Sequence, residues 1–438
     1  MAGMEINHVH TSGVNNADMQ AHISHISSYR DELKKVLEDD GYHSPESALS
    51  LIDDEEITAA LTDMQAVFSH SELTDVIVVG MGGSARGSRA VYDLLSLQTQ
   101  ADLHTIDTID DQSIKNLLTL LQERKPDITQ IAICVISKSG KTVETIANAN
   151  VLAKKLGSIF SLESVLNQIV VVTKPGSPLE KKAKEGDIKT LPVPEQVSGR
   201  FSMFSLANLL PLSLVGIATS DLTAGARALR SACLSGRPTS DPAAALASII
   251  YDHIQKGERI LNHYFFTPQA ESLGSWIRQL FAESLGKRKN RRGEPVFSGA
   301  YPVTSIAPRD LHADFQLQLG GPKNFFTIFI RQQAKIGDLN ETITNEGLLV
   351  DDLVHLANHD LYDVYQALSE ATVESFRKND RPFVEITISQ FDTETLGKLL
   401  MLEQLIVMYL GHLLEINTFN QPQVETYKDI ARAKMENK

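Results

Sequence analysis

Three short β-branched runs, each followed by a polar loop, most constrain what this chain can fold into. They are Val76–Val79, Ala132–Ile136 and Ile169–Val172. Each run is apolar at every position, which is typical of a strand in a parallel sheet covered by helices on both faces. Helical periodicity follows the first two runs, in Arg89–Leu97 and Thr142–Leu156. Alternating strands and helices predict a doubly wound α/β domain.

A second series of the same kind predicts a second α/β domain. Phe325–Ile330 and Pro382–Ile388 are strand-like, and Ile260–Phe266 is a plausible third strand. Helical patterns occupy Ser272–Leu285 and Thr395–Leu414. We therefore expect two doubly wound parallel sheets, each an α-β-α sandwich, with extra helices at both ends of the chain.

The domain boundary is expected near Ser235–Asp241, the most loop-like stretch between the two series. The pattern places it within about 20 residues of that stretch. We expect an N-terminal helical segment over residues 1–70, a first α/β domain over 71–225 and a second over 240–438. A length of 438 residues suits two or three domains of about 150 residues each.

The charge balance excludes several kinds of partner. With 41 basic and 55 acidic residues the net charge is −14, which argues against nucleic acid and against an anionic membrane. No signal peptide is visible, and the longest apolar segments, Leu206–Ala218 and Leu399–Leu414, are interrupted before about 18 residues. Two cysteines are too few for a disulfide framework. We expect a cytoplasmic protein.

The loop Gly80–Ser84, after the first predicted strand, is the first candidate ligand site. Gly82 and Gly83 would let backbone N–H groups approach an anion, and Ser84 adds a hydroxyl donor. The same residues would also fit a tight strand-to-helix turn without a ligand. Ligands of open parallel sheets bind at the carboxyl ends of the strands, where this loop lies.

The loop Ser137–Thr142, after the second predicted strand, is the second candidate. It gathers Ser137, Lys138, Ser139 and Thr142, more donors than the capping of one helix requires. Neither loop fits a nucleoside-triphosphate P-loop or the dinucleotide fingerprint. A few charge-assisted hydrogen bonds and a helix N-terminus suffice to hold a small phosphorylated metabolite at about millimolar to micromolar concentration.

Three further segments carry reactive side chains. Gln279 and Glu283 are four residues apart on one helix face, and Glu283 lies near the helix end beside aromatic residues. A carboxylate so placed can act as a general base, although a solvated glutamate is the commoner case. His312 follows Asp310 in a loop, and Lys428 follows the last apolar helix. Each would otherwise be interpreted as an ordinary surface residue.

Metal sites are poorly supported by the sequence, and we expect none. The histidine pairs lack a carboxylate scaffold or the glutamate of a zincin motif. These pairs are His8 and His10, His22 and His25, and His355 and His359.

Six motifs together resemble those of the phosphoglucose isomerase family. They occur in the right order between about Asp75 and Lys428: Gly80–Ser84, Ser137–Thr145, Val197–Ser202, Gln279–Lys287, Asp310–His312 and Phe419–Lys428. The resemblance implies two sugar-isomerase (SIS) domains. It also implies interconversion of glucose 6-phosphate and fructose 6-phosphate, by ring opening and proton transfer through a cis-enediol(ate), without metal or organic cofactor.

The resemblance also implies a role for each matching residue. Glu283 matches the base, Arg200 the cation beside the enediolate, and His312 and Lys428 the pair that opens the sugar ring. The family's histidine comes from the partner subunit, which implies a homodimer. The remaining matches are substrate contacts, at Gln279 and Gln421, and phosphate-binding positions, at Gly82, Gly83, Ser84, Ser137, Lys138, Ser139 and Thr142.

Departures from the family pattern leave two alternatives open. Arg86 and Lys141 place two extra cations near the phosphate loops, which suggests a dual-specificity enzyme that also accepts mannose 6-phosphate. A non-catalytic SIS protein that senses a sugar phosphate is the other alternative. Retention of four residues together argues against a sensor, which would need no enediol chemistry; they are Glu283, Arg200, His312 and Lys428. Further departures are Ser198, Asn420 and Gln423.

Overall fold

Two five-stranded sheets share one continuous hydrophobic core in a computed structural model of the chain. The structure describes residues 3–69, 72–335, 339, 341–345 and 347–436. Buried aliphatic residues of both sheets face this core, and smaller apolar clusters fill the outer face of each sheet. Each sheet is thus covered on both sides, as the uninterrupted apolar runs predict.

The first half of the chain contains six strands and nine helices within the described residues. In chain order they are β1 (Met4–Asn7), α1 (Asn16–Glu38), α2 (Glu55–Phe68), β2 (Asp75–Gly80), α3 (Arg86–Leu95), β3 (Asp102–Ile106), α4 (Asp111–Arg124), β4 (Ile131–Ile136), α5 (Val143–Gly157), α6 (Leu162–Asn167), β5 (Ile169–Thr173), α7 (Pro178–Glu185), β6 (Lys189–Pro192), α8 (Leu206–Leu214) and α9 (Thr219–Ser235).

The second half continues with the following elements. They are α10 (Pro242–Gln255), β7 (Ile260–Phe265), α11 (Glu271–Leu285), β8 (Lys287–Lys289), β9 (Pro295–Ser298), β10 (Tyr301–Ile306), α12 (Phe315–Gly320), β11 (Phe325–Gln332), α13 (Leu361–Lys378), β12 (Phe383–Ile388), α14 (Thr393–Leu413) and α15 (Glu425–Glu436).

The first sheet is entirely parallel, in the order β3-β2-β4-β5-β6. The three predicted strands are confirmed as β2, β4 and β5, which are buried throughout. The edge strands β3 and β6 were not predicted, since both are partly exposed and lack a continuous apolar run. The strand order reverses between β2 and β4, where ligands of such sheets bind.

The second sheet has the order β1-β12-β11-β7-β10. Its four parallel strands repeat the relative order of the first sheet, whereas β1 pairs with β12 in the antiparallel sense. The expectation of a doubly wound parallel sheet is confirmed for β10, β7, β11 and β12, and the antiparallel edge strand β1 is an addition that the sequence did not predict. The expected N-terminal helical segment over residues 1–70 contains α1 and α2, and it also contains β1, which is too short and too polar to show a strand pattern.

Helix α14 forms the centre of the shared core. It is long and apolar enough to cross a membrane, with a mean hydropathy of 1.3 over its most apolar window. However, 94% of that window is buried inside the protein. Such burial is what a core helix of a globular protein shows, so the length of α14 is weak evidence for a membrane span.

A buried ion pair fixes the loop at the predicted domain boundary. Asp241, 1% exposed, caps α10 by accepting from the N–H groups of Ala243 (2.9 Å) and Ala244 (3.0 Å). Its other oxygen accepts from Arg30 Nε and Tyr409 Oη, both at 2.9 Å. One carboxylate therefore joins α1, α10 and α14, and the loop is anchored rather than a free linker.

Replacing Asp241 should destabilise the whole molecule. In Asp241→Ala the buried Arg30 guanidinium loses its counterion, which typically costs about 3–5 kcal/mol of unfolding free energy. Urea unfolding measures this loss. Asp31→Ala, which breaks an exposed pair with Lys34 on the same helix, is the matched control and should leave the midpoint almost unchanged. Equal midpoints for the two variants would contradict the role of Asp241.

Candidate active site

Both predicted phosphate loops lie at the point where the strand order of the first sheet reverses. The Gly82–Ser84 turn follows β2, and the Ser137–Thr142 loop follows β4. These strands are neighbours, with Gly80 opposite Ile136 at their carboxyl ends. The backbone thus brings together the two loops that the sequence places about 50 residues apart.

The glycine loop is in direct contact with the turn that carries Arg200. A Cβ atom on Gly83 would lie 2.0 Å from the carbonyl oxygen of Gly199, so a side chain does not fit. Gly82 has a φ of +55° and would bring a Cβ atom to 2.7 Å from Gln279 Nε2. Glycine is required at position 83 because the backbone of the Gly199–Phe201 turn lies against it, and glycine suits position 82 because the φ there is left-handed.

Asn208, on α8, holds these segments together and was not predicted from the sequence. Its Nδ2 donates to the carbonyl oxygens of Gly83 (3.0 Å) and Ser202 (3.1 Å), and its Oδ1 accepts from the N–H of Ser88 (2.9 Å). An asparagine in an apolar helix is the signal that could have revealed it, because a buried amide requires partners.

The second loop holds its hydroxyl groups close together. Ser137 Oγ and Thr142 Oγ1 lie 2.9 Å apart, and Ser139 Oγ accepts from the N–H of Lys141 at 3.2 Å. Helix α5 begins at Val143, so the free N–H groups of its first turn adjoin this loop. Hydroxyl and amide donors are therefore gathered at one point, as the sequence predicts.

Lys138 connects this loop to the segment before Arg200. Its Nζ donates to the carbonyl oxygens of Glu195 (2.7 Å) and Val197 (2.8 Å). Burial lowers its pKa below the usual value for a lysine. In this structure the Lys138 ammonium group therefore binds backbone carbonyl oxygens.

Arg200 is the centre of the site. It is 2% exposed, and each of its five N–H groups has an acceptor. Nε donates to Ser284 Oγ (2.7 Å), Nη1 to Gln421 Oε1 (2.8 Å) and Glu283 Oε2 (3.4 Å), and Nη2 to the carbonyl oxygens of Thr418 (2.6 Å) and Asn420 (3.3 Å). Burial lowers the pKa of Arg200 to about 10, so it remains a cation at neutral pH.

Glu283 is held at both carboxylate oxygens but stays accessible. Oε1 accepts from Gln279 Nε2 at 3.1 Å, as their i, i+4 spacing predicts, and Oε2 accepts from Arg200. Its side chain is 32% exposed. A fixed and accessible carboxylate beside a buried cation is suited to taking a proton from a bound ligand and to stabilising the negative charge that results.

Lys287 is a further site residue, and the sequence interpretation of it needs correction. The basic stretch Lys287–Arg292 suggests a solvated loop, but Lys287 is 5% exposed and begins β8. Its Nζ donates to the carbonyl oxygen of Glu283. Burial, and next the charge of Arg200, lower its pKa to about 8. The i, i+4 spacing from Glu283 is the signal that would have revealed it.

His312 and Lys428 do not join this group within one protomer. His312 is exposed in a short turn after β10, and no hydrogen bond or ion pair links it to Arg200 or Glu283 among the described residues. Lys428 is partly exposed on α15, where its Nζ donates to Glu425 Oε1 at 2.8 Å. Among the described residues of the single chain, the predicted ring-opening pair therefore makes no hydrogen bond or ion pair with Arg200 or Glu283.

The two extra cations differ in how they could affect a ligand in the phosphate loops. Arg86 Nη1 donates to Ser275 Oγ on α11 at 2.7 Å, which directs the guanidinium toward that helix. Lys141 is exposed at the edge of the hydroxyl loop. The hypothesis that mannose 6-phosphate is also accepted therefore depends on Lys141.

One cluster of potential metal ligands is close enough to hold an ion, but the cation of Arg124 already pairs with it. Among the described residues, Asp75, Asp102 and His104 are the one group of three potential ligands close together. Arg124 donates to Asp75 at 3.1 Å and pairs with Asp102 at 2.6 Å. The cluster lies at the amino ends of β2 and β3, opposite the phosphate loops, and is best explained as an ion-pair network.

Comparison with known proteins agrees with this geometry. The phosphoglucose isomerase family model matches residues 13–438. A probable glucose-6-phosphate isomerase of Haloarcula marismortui is 32% identical over 380 residues, 86% of this chain and 82% of that protein. The glucose-6-phosphate isomerase of Methanocaldococcus jannaschii is 31% identical over 356 residues, 81% and 83% of the two chains.

Two solved structures share the fold over almost the whole chain. A hypothetical protein of Thermus thermophilus matches with a TM-score of 0.85 at 26% identity, over 99% of both chains. A glucose-6-phosphate isomerase of Chlamydia trachomatis matches with a TM-score of 0.81 at 17% identity, over 100% of this chain and 89% of that one. The expected α/β fold, with two doubly wound sheets covered by helices, is confirmed. With a family model matched from residue 13 to the end, the chain belongs to the phosphoglucose isomerase family.

Proposed function

We propose that this protein interconverts glucose 6-phosphate and fructose 6-phosphate as an aldose–ketose isomerase. The observation that carries the proposal is the buried Arg200, which holds Glu283 and Gln421 directly beside the glycine loop. Moving a proton between adjacent carbons requires a base and a cation near the developing negative charge, and Glu283 and Arg200 supply them. The proposed chemistry needs neither a metal nor an organic cofactor.

In this proposal the two loops of the first sheet bind the phosphate. Ser84, Ser137, Ser139 and Thr142 supply hydroxyl donors, and the backbone of Gly82 and Gly83 and the first turn of α5 supply N–H donors. Lys138 positions the loop through its backbone contacts. The net charge of −14 does not oppose binding, because salt screens distant surface carboxylates over about 8 Å.

Glu283 then carries the proton between C1 and C2 of the open-chain sugar through a cis-enediol(ate). Gln279 and Arg200 fix the two carboxylate oxygens, so the base is oriented before the substrate arrives. Gln421, which accepts from Arg200, is placed to contact the sugar hydroxyl groups. The Arg200 cation stabilises the enediolate oxygen more than the neutral substrate, which lowers the barrier.

Ring opening is proposed to use His312 of the partner subunit together with Lys428. His312 is exposed, and among the described residues it makes no hydrogen bond or ion pair with Glu283, which supports a site that a second subunit completes. The proposal therefore includes a homodimer in which each subunit donates a histidine to its neighbour. A proton must move between the ring oxygen and the C1 hydroxyl, and an imidazole and an ammonium group can transfer it.

The role of Glu283 is tested by Glu283→Gln. The amide keeps the shape but cannot accept the proton, so kcat should fall by about 10²–10⁴-fold with KM changed only slightly. A coupled assay with glucose 6-phosphate measures both constants. Glu271→Gln, an exposed residue at the start of the same helix, is the matched control and should match the wild type. A near-wild-type kcat in Glu283→Gln would sink the proposal.

The shared site is tested by mixing two inactive variants. Glu283→Gln and His312→Ala are unfolded together in equal amounts, refolded and assayed. If the histidine crosses the interface, each mixed dimer has one intact site, and about a quarter of wild-type activity should return. If both residues belong to the same subunit, no mixed dimer has an intact site. Absence of recovery, with mixed dimers shown by native mass spectrometry, would refute the crossed arrangement.

The burial of Lys287 predicts a specific dependence of stability on pH. Its pKa of about 8 in the folded protein is below the value of about 10.4 in an unfolded chain. Between these values the unfolded state binds more protons, so the contribution of Lys287 to the unfolding free energy rises with pH. From about pH 7 to pH 10, wild type should gain about 1–3 kcal/mol relative to Lys287→Met.

Urea unfolding of both proteins at the two pH values measures this gain. Lys289→Met removes an exposed lysine from the same strand and is the matched control. A difference between wild type and Lys287→Met that stays constant with pH would contradict the predicted state of Lys287.

A further inference from the structure

A cavity opens on the outer face of the first sheet, away from Arg200 and Glu283 of the candidate active site. It has a volume of about 760 Å³ and lies between α5, α6 and α7. Its floor is formed by Val135, Ile169 and Val171, which point away from the shared core. Its walls include Leu162 and Leu179. The volume is within the range of small-molecule sites, and neither Arg200 nor Glu283 lines it.

The sequence explains why the sheet is left incompletely covered here. Ala149, Ala153 and Gly157 are spaced four residues apart on α5, so that small side chains face the cavity. Helices α6 and α7 have only six and eight residues, against fifteen in α5. Short helices and small residues together leave a space between α5, α6 and α7 above these buried strand residues.

The charge around the cavity favours an anion. Lys154 and Lys182 are among its lining residues, and within the described part of the chain no Asp or Glu is. This is a local excess of positive charge in a chain with a net charge of −14. Lys182 also pairs with Glu185 at 2.9 Å, but both side chains are highly exposed, so the pair is weak and a ligand can compete for the lysine.

The cavity adjoins the Ser137–Thr142 loop of the proposed phosphate site. Gly140 belongs to that loop and also lines the cavity. On the other side, Ser177 caps α7 and its Oγ lies 2.8 Å from Thr173 Oγ1, which donates to the carbonyl oxygen of Ser137 at 2.7 Å. A ligand between α5 and α7 therefore contacts two elements that set the position of Ser137 and Gly140.

We propose that this cavity binds an unbranched medium-chain carboxylate and that its occupancy restrains the Ser137–Thr142 loop. The hydrocarbon chain would cover the apolar floor, and the carboxylate would lie at the rim beside Lys154 and Lys182. This site is separate from isomerisation, and its existence does not depend on the proposed activity.

Displacement of 8-anilinonaphthalene-1-sulfonate from the full chain tests the ligand class. Each methylene buried strengthens binding about fourfold, so octanoate should displace the dye at least about tenfold more strongly than butanoate. Octylammonium, with the same chain and the opposite charge, should displace it far less than octanoate. Equal displacement by octanoate and butanoate, or by octanoate and octylammonium, would overturn the proposal.

Two pairs of variants place the site. Ala153→Phe fills the cavity and should weaken octanoate binding by at least about tenfold, whereas Ala147→Phe, exposed on the same helix and not part of the lining, should not. Lys154→Glu should weaken binding and Lys155→Glu should not, which keeps the test decisive if Ala153→Phe fails to fold. Octanoate affinity unchanged in Lys154→Glu, or in a folded Ala153→Phe, would refute this location.

Hydrogen–deuterium exchange tests the link to the loop without using isomerase activity. Saturating octanoate should slow exchange in peptides that cover residues 137–146, because the ligand holds α5 and α7 together behind them. The peptide covering α15 is the internal control. Unchanged exchange in residues 137–146 while octanoate is bound would refute the restraint of the loop.

Discussion

The site depends on one guanidinium group. Arg200 leaves the first domain in a short turn, reaches Glu283 and Ser284 on α11, and ends against the backbone after α14. Burying a cation is costly unless every donor is satisfied, and here all five N–H groups are. The partners come from two distant parts of the chain, residues 283–284 and 418–421, so these segments must pack correctly against the Arg200 turn for the cation to be stable. The same hydrogen bonds of Arg200 are thus needed both for the stability of the fold and for the geometry of the site.

The fold was largely predictable because its central strands are buried on both faces. β2, β4 and β5 appear in the sequence as uninterrupted apolar runs, and β11 as an apolar run interrupted only by Thr327 before Arg331. The strands that the sequence did not reveal lie mostly at sheet edges, where half-exposed residues replace the apolar run. In the edge strand β10, Pro302 further obscures the pattern. A local sequence pattern does not indicate that a polar segment pairs with a strand distant in the chain.

The same distinction separates the predicted from the missed site residues. Gln279 and Glu283 were found because their spacing places them on one helix face, and both loops because their donors cluster in sequence. The role of Arg200 came only from family resemblance, since its partners lie more than 80 residues away. Asn208 and Lys287 were missed because asparagine and lysine are usually exposed, so an asparagine in an apolar helix and a lysine four residues after Glu283 were not interpreted as buried. The crossed contribution of His312 stays a prediction.

The two sheets share a strand order but contribute different residues to the candidate site. In each sheet the first parallel strand leads into a helix, α3 in one and α11 in the other, and these two helices pack together. The first sheet carries glycine and hydroxyl residues at the carboxyl ends of β2 and β4. In the second sheet, β7 leads into α11, which carries the carboxylate of Glu283. Neither half is a smaller version of the enzyme. Because both candidate phosphate loops lie in the first half of the chain and Glu283 lies in the second, neither half alone contains the whole candidate site.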